Sequence, residues 1–149
     1  MSVSVYLRND AGRRGVPLKR SFAGWIDAIP QLRRRRGAQV NIVIVGAKAG
    51  RRYNRDFRGK DYATNVLSFP YEPLPGEKTA LLGDVEICAP VVAREAGEQG
   101  KRVRDHYAHL TIHGVLHLLG YDHQVEAEAE RMEALERRVL AGLGVADPY

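Results

Sequence analysis

The 149-residue sequence holds a single cysteine, Cys88, so no internal disulfide can form and the fold has to stand on its core. One thiol fits a reducing compartment without requiring it. No apolar run approaches the roughly 18 residues that a membrane span needs. The opening stretch MSVSVYLRND lacks a basic segment followed by an apolar one, so no secretory leader is expected. Internal repeats, low-complexity tracts and linker-like segments are missing as well. These absences leave a soluble chain, expected to be cytoplasmic and to have no membrane partner. One domain is expected over residues 1–149, long enough to bury a core without staples.

What is present is an ordinary globular composition, 44% hydrophobic and 28% charged. The charge is unbalanced, with a net +5 and an isoelectric point near 9.6. Arginine supplies most of the excess, in clusters at Arg13-Arg14, Arg33 to Arg36, Arg51-Arg52 and Arg55. A guanidinium fork suits phosphate oxygens better than an ammonium does. Any one cluster can be a solvated helix end, but together they favour a polyanionic partner, since neutralising phosphates drives sequence-independent binding.

Along the chain, Ser2 to Leu7 alternates with period two and predicts a half-buried strand. Ser21 is placed to cap a helix carrying Phe22, Trp25, Ile26 and Ile29, which Pro30 kinks or divides, and which the arginine run and Gly37 close. VNIVIVG (Val40 to Gly46) reads as a central strand. Residues 47–58 suit a basic helix turning Tyr53 and Phe57 to the core. Val66 to Phe69 and Leu81 to Cys88 give two more strands, the second with Asp84 and Glu86 on its polar face. Helices follow from Pro90 to about Glu98, from about Val103 to Leu119, and after His123, the last with Val125, Ala129, Met132, Leu135, Val139 and Leu140 as its apolar stripe. The expected fold is α+β, a small mixed sheet of about four strands packed with about five helices, in a single domain.

Residues 113–123 read HGVLHLLGYDH and hold three of the five histidines. His113 and His117 are four residues apart, which sets both imidazoles on one helical face, a turn apart. Gly120 can end the helix in a left-handed cap, so the chain can turn back and bring His123 to the same side. Three imidazoles with no fourth protein ligand nearby describe a zinc site with an open position, and an open position points to catalysis. The expected zinc site therefore sits on a central helix and the turn after it, with one ion per chain. Nickel, copper or another divalent ion would fit similar ligands. His109 is expected to be a buried, hydrogen-bonded neighbour and His106 a surface residue.

The spacing HxxxHxxxxxH is also that of the metzincin peptidases, which carry a glutamate base directly after the first histidine. Gly114 occupies that position here, which argues against peptide hydrolysis. The stretch resembles instead the HGxLHLxGYDH signature of the YbeY family, bacterial rRNA maturation factors regarded as metal-dependent endoribonucleases. RDFRGKDYATNVLSFP (residues 55–70) resembles a second block of that family, and LGDVEI (Leu82 to Ile87) a third, in the same order along the chain. Phe57, Ala63 and Asn65 depart from the family's usual tyrosine, proline and aspartate. The resemblance implies a hydrolase of RNA phosphodiesters with zinc on His113, His117 and His123. Those three and Arg58, at the arginine of the second block, would be the catalytic residues. It further implies single-stranded or ribosomal RNA as substrate, small-subunit 16S rRNA 3′-end maturation and ribosome quality control as the setting, and the small subunit with its assembly factors as partners. The competing readings are another zinc hydrolase of the metzincin type, or a non-enzymatic ribosome-assembly factor with structural zinc. Asp122 is expected to orient a histidine or cap the last helix, and Asp84 to accept a structural hydrogen bond.

Overall fold

The computed structural model describes residues 3–35 and 37–149. Ser2 of the first expected strand and Arg36 of the arginine run lie outside the described residues. Four strands form one sheet in the order β1-β2-β4-β3, where β1 is Ser4–Asn9, β2 Gln39–Val45, β3 Val66–Pro70 and β4 Leu81–Cys88. β1, β2 and β4 run parallel, and β3 pairs antiparallel with β4 at the sheet's edge. The mixed α+β architecture is the expected one. β2 is central because its apolar residues are nearly continuous: Val40, Ile42 and Ile44 are wholly buried, and each faces an apolar neighbour or a glycine in register on β4. β3 ends in Pro70, which cannot donate to a further ladder and so belongs at an edge.

Five helices join the sheet: α1 Lys19–Asp27, α2 Ala47–Arg58, α3 Ala89–Gln99, α4 Val103–Leu118 and α5 Glu126–Gly142. Pro30 divides the first helical pattern rather than kinking it, opening a separate 3-10 turn over Pro30–Arg34. Ser21 does not cap α1. The helix starts three residues earlier, after Leu18, and the Ser21 hydroxyl accepts a hydrogen bond from Arg104 of α4 instead.

α4 is the element around which the others pack. Nine of its residues are buried on nearly every side, including Tyr107, Ile112, Val115 and Leu116. Burying each such aliphatic side chain contributes about 1.5–3 kcal/mol, and an all-round apolar helix is a core helix. It crosses the sheet face that carries Val85 and Ser68, with α1, α3 and α5 beside it. The next residue on β3, Phe69, turns to the opposite face and meets Phe57 of α2 edge-on at 5.1 Å. Phe57 is therefore not in the core as expected: it stays 65% exposed on the far face of the sheet, stacked beside Tyr53. Glu86 is the converse surprise. It was expected on a solvated face, yet α2 and its arginines shelter it to 6% exposure.

Candidate metal centre and active cleft

α4 ends in a turn that does two jobs. Gly120 adopts φ +99°, its N–H donates to His117 O and the Tyr121 N–H donates to Leu116 O, which together make a Schellman cap. The reversed chain then offers the Tyr121 carbonyl to His117 Nδ1 at 2.9 Å and returns His123 over the helix end. The ring centroids of His113, His117 and His123 lie 4.6, 4.8 and 5.5 Å apart. One nitrogen from each lies within 4.8 Å of the others.

The donor chemistry suits a cation. His113 Nδ1 faces Glu136 Oε1 at 2.9 Å and His117 Nδ1 faces a carbonyl, so both protons sit on Nδ1. The two Nε2 lone pairs are thereby turned on each other at 3.1 Å with no proton to share. Tetrahedral zinc with bonds of about 2.0–2.1 Å holds its nitrogens ~3.3 Å apart, so the pair is already at ligand spacing. His117 is also kept neutral: burial lowers its pKa first, and His113 and His123 add to the effect. The residues present fit a zinc-class ion with one position left for water or substrate.

Arg58 belongs to the same site. It is the last residue of α2, followed by Gly59 in a left-handed cap at φ +70°. A cleft of about 620 Å³ runs along β3 and is lined by Arg58, the three histidines, Thr64, Asn65 and Ser68 among others. Arg58 forms no ion pair among the described residues, which leaves its fork free for an anion in the cleft. Its loop is pinned: Arg51 grips Asp61 through two 2.8 Å bonds, and the wholly buried Asn54 donates to Tyr62 O at 2.7 Å.

The remaining candidates settle as follows. Asp122 lines the cleft and does not cap α5, whose N-cap is Val125; of its two expected roles it fits the one beside a histidine, with its Oδ1 3.5 Å from His123 Nδ1. The His123 N–H donates to it at 2.7 Å and lowers its pKa. Asp84 accepts from Asn41 Nδ2 at 2.9 Å, a structural role as expected. His109 is the bonded neighbour it was expected to be, 3.1 Å from Glu136. His106 is not at the surface: it is 3% exposed, its pKa is lowered by burial, and its Nε2 donates to Glu95, which also accepts from Asn65. Gly114 explains the missing peptidase glutamate sterically. A Cβ there would point into the sheet, 3.2 Å from Ser68 Oγ, whose hydroxyl donates to Gly114 O.

The sequence reading missed Glu136. It lies on α5, wholly buried, and accepts from His113, His109 and the Tyr149 hydroxyl together. Burial alone would raise its pKa, but the hydrogen bonds from His109 and His113 prevail and lower it to about 2. A signal was present, since Glu136 sits four residues from both Met132 and Leu140 in the apolar stripe.

The sequence profile of endoribonuclease YbeY matches residues 9–144. The chain belongs to the endoribonuclease YbeY family. An endoribonuclease YbeY of Stenotrophomonas maltophilia is 60% identical over 141 residues, 92% of this chain and 87% of its own. That of Alkalilimnicola ehrlichii is 56% identical over 142 residues, 93% of this chain and 86% of its own. A Thermotoga maritima protein solved in solution shares the fold, with a TM-score of 0.59 at 23% identity over 95% of this chain and 91% of that one. As a member of the YbeY family the chain is an enzyme, a hydrolase acting on RNA.

Proposed function

We propose that residues 1–149 form one catalytic domain, a zinc-dependent endoribonuclease that cuts single-stranded RNA in the cytoplasm during maturation of ribosomal RNA. The 3′ end of 16S rRNA on the small subunit is its target, and assembly factors are its neighbours. The observation that carries the reading is the convergence of His113, His117 and His123 in one cleft with Arg58.

In this reading the three histidines hold the ion. When bound, it supplies Lewis acidity at a phosphoryl oxygen and brings the pKa of a water down to about 7. The chain's own residues do the rest. Arg58 takes the phosphodiester in a two-pronged grip and stabilises the charge that builds on its equatorial oxygens; it stays protonated and moves no proton itself. The Tyr121 carbonyl keeps the His117 proton on Nδ1. Asn65, Ser68 and the free edge of β3 give the cleft a polar wall that recognises backbone rather than sequence. A peptidase reading is disfavoured by Gly114, and a purely structural ion by the open side of the histidine cluster.

The test is cleavage of single-stranded RNA by zinc-loaded protein beside His117→Ala and Arg58→Glu variants that fold equally well. Both variants should lose at least about 100-fold in rate, in keeping with removal of a charge-stabilising group. Equal cleavage by all three overturns the proposal in favour of an assembly factor.

A further inference from the structure

The buried Glu136 is tied at both ends. Its Oε1 accepts from His113 Nδ1 at 2.9 Å and from His109 Nε2 at 3.1 Å, and its Oε2 accepts from the Tyr149 hydroxyl at 2.9 Å. His109 Nδ1 is buried without a partner, which fits a ring whose proton is on Nε2 and given to Glu136. Tyr149 comes from the segment after α5, beyond the residues that the family profile matches. That segment folds back as a strap. Asp147 accepts from Arg137 Nε at 3.1 Å and from the Tyr149 N–H at 2.9 Å, the Arg137 guanidinium lies 5.2 Å over the Tyr149 ring, and Lys101 Nζ donates to Pro148 O at 3.3 Å. So much hardware is more than an exposed tyrosine needs to pack.

We propose that Glu136 and Tyr149 are positioning residues for the metal centre: Glu136 fixes His113 in the one tautomer and ring orientation that aims Nε2 at the ion, and Tyr149 holds Glu136 in place from the strap. The proposal rests on the metal centre assigned to His113, His117 and His123. Its physical basis is general. An imidazole can ligate through either nitrogen, and the hydrogen bond on the other decides which. A carboxylate receiving that bond raises the ring's basicity, and removing it commonly costs 10–100-fold in metal affinity. His117 gets only a carbonyl for the same purpose. The carboxylate at His113 makes that ring the stronger donor of the pair, and Tyr149, by sharing Glu136, sets how strong.

The experiment titrates apo protein with zinc and with cobalt(II), reading the dissociation constant, the stoichiometry and the visible cobalt spectrum. It compares wild type with Glu136→Gln, Tyr149→Phe and the double variant, and records the thermal unfolding of each apo protein. Glu136→Gln should bind about 10–100-fold more weakly with an altered cobalt spectrum. Tyr149→Phe should lose about 3–10-fold, and its apo form should still unfold cooperatively, somewhat earlier than wild type for the hydrogen bond lost to Glu136, because its ring still packs on Arg137. The double variant should bind no worse than Glu136→Gln alone, since the tyrosine acts only through the carboxylate. Wild-type affinity and spectrum in Tyr149→Phe overturn the proposal, as do additive losses. Two ions per wild-type chain also overturn it, because His109, His113 and Glu136 would then be ligands themselves. Should Glu136→Gln fail to fold, the Tyr149→Phe result decides. A wild type that binds no ion at all sinks the metal centre itself and is a separate failure.

Discussion

A Cβ built on Gly114 meets Val85 Cγ1 at 2.6 Å, so α4 rests on β4 with bare backbone against a wholly buried valine. That contact sets how deep His113 rides over the β3 edge. Gly114→Ala should lift α4 away from the sheet and cost about 1–3 kcal/mol, the usual penalty for overpacking. It should also weaken zinc binding, since His113 is the adjacent residue. Denaturant unfolding and zinc titration of the same preparation check both. Gly114→Glu should be worse on both counts and should gain no peptidase activity.

Metal removal should lower the melting temperature without abolishing the fold, because the core of α4, β2 and β4 closes without the ion. A ligand at 100 times its dissociation constant adds about 2.7 kcal/mol. Zinc added to chelator-treated wild type should therefore raise the melting temperature by several degrees. His123→Ala should lose most of that rise while its apo form melts with apo wild type, since His123 is 55% exposed and packs into no core. Scanning calorimetry with and without chelator reads the difference.

Glu86 gives the stability a pH signature. Burial raises its pKa from 4.5 to about 7, against a smaller opposing pull from Arg52. The folded state holds this proton more tightly than the unfolded chain, so the group costs nothing below pH 4.5. The cost grows as pH rises from 4.5 towards 7 and is complete above that. Glu86→Gln should thus be about 2–3 kcal/mol more stable than wild type at pH 8 and no more stable at pH 4. Urea unfolding at the two pH values settles it, and an unchanged difference between them counts against the assignment.

Asn54 offers a way to disturb Arg58 without touching the ion. Asn54→Ala removes the 2.7 Å bond that this wholly buried side chain donates to Tyr62 O, at a cost of about 0.5–1.5 kcal/mol. The loop after Arg58 should loosen, and RNA cleavage should fall while zinc affinity stays at the wild-type value. Measuring the two together separates the part of the arginine in the cleft from that of the histidines.

Much of this was legible in the residues because it is local. The i, i+4 histidines and the Gly120 cap are consequences of helix geometry, and the four strands follow from period-two or continuous apolar patterning. Non-local facts were less readable. Phe57 was assigned to the core on helical spacing, but the face it shares with Tyr53 looks onto an open sheet surface and not an interior. Glu86 alternates as a polar residue should, and only the later approach of α2 shelters it. His106 was expected at the surface, and it is buried instead against Glu95, eleven positions away on another helix. Glu136 was hidden for the same reason, being a carboxylate whose three donors come from α4 and from the strap.

The three imidazoles are unequally anchored, and that has a kinetic side. His113 and His117 belong to the most enclosed helix of the molecule, each with its second nitrogen tied down, so neither can leave without disturbing the core. His123 hangs on a short exposed reversal beyond Gly120, held through its own backbone by Asp122. Local opening draws on such lightly packed segments first. In the proposed metal centre the exchange of an ion would thus be set by the loop of residues 119–125, while the helix pair would fix only where the ion sits. Stiffening the reversal at a residue beyond Gly120 would lengthen residence without adding a single bond to the metal.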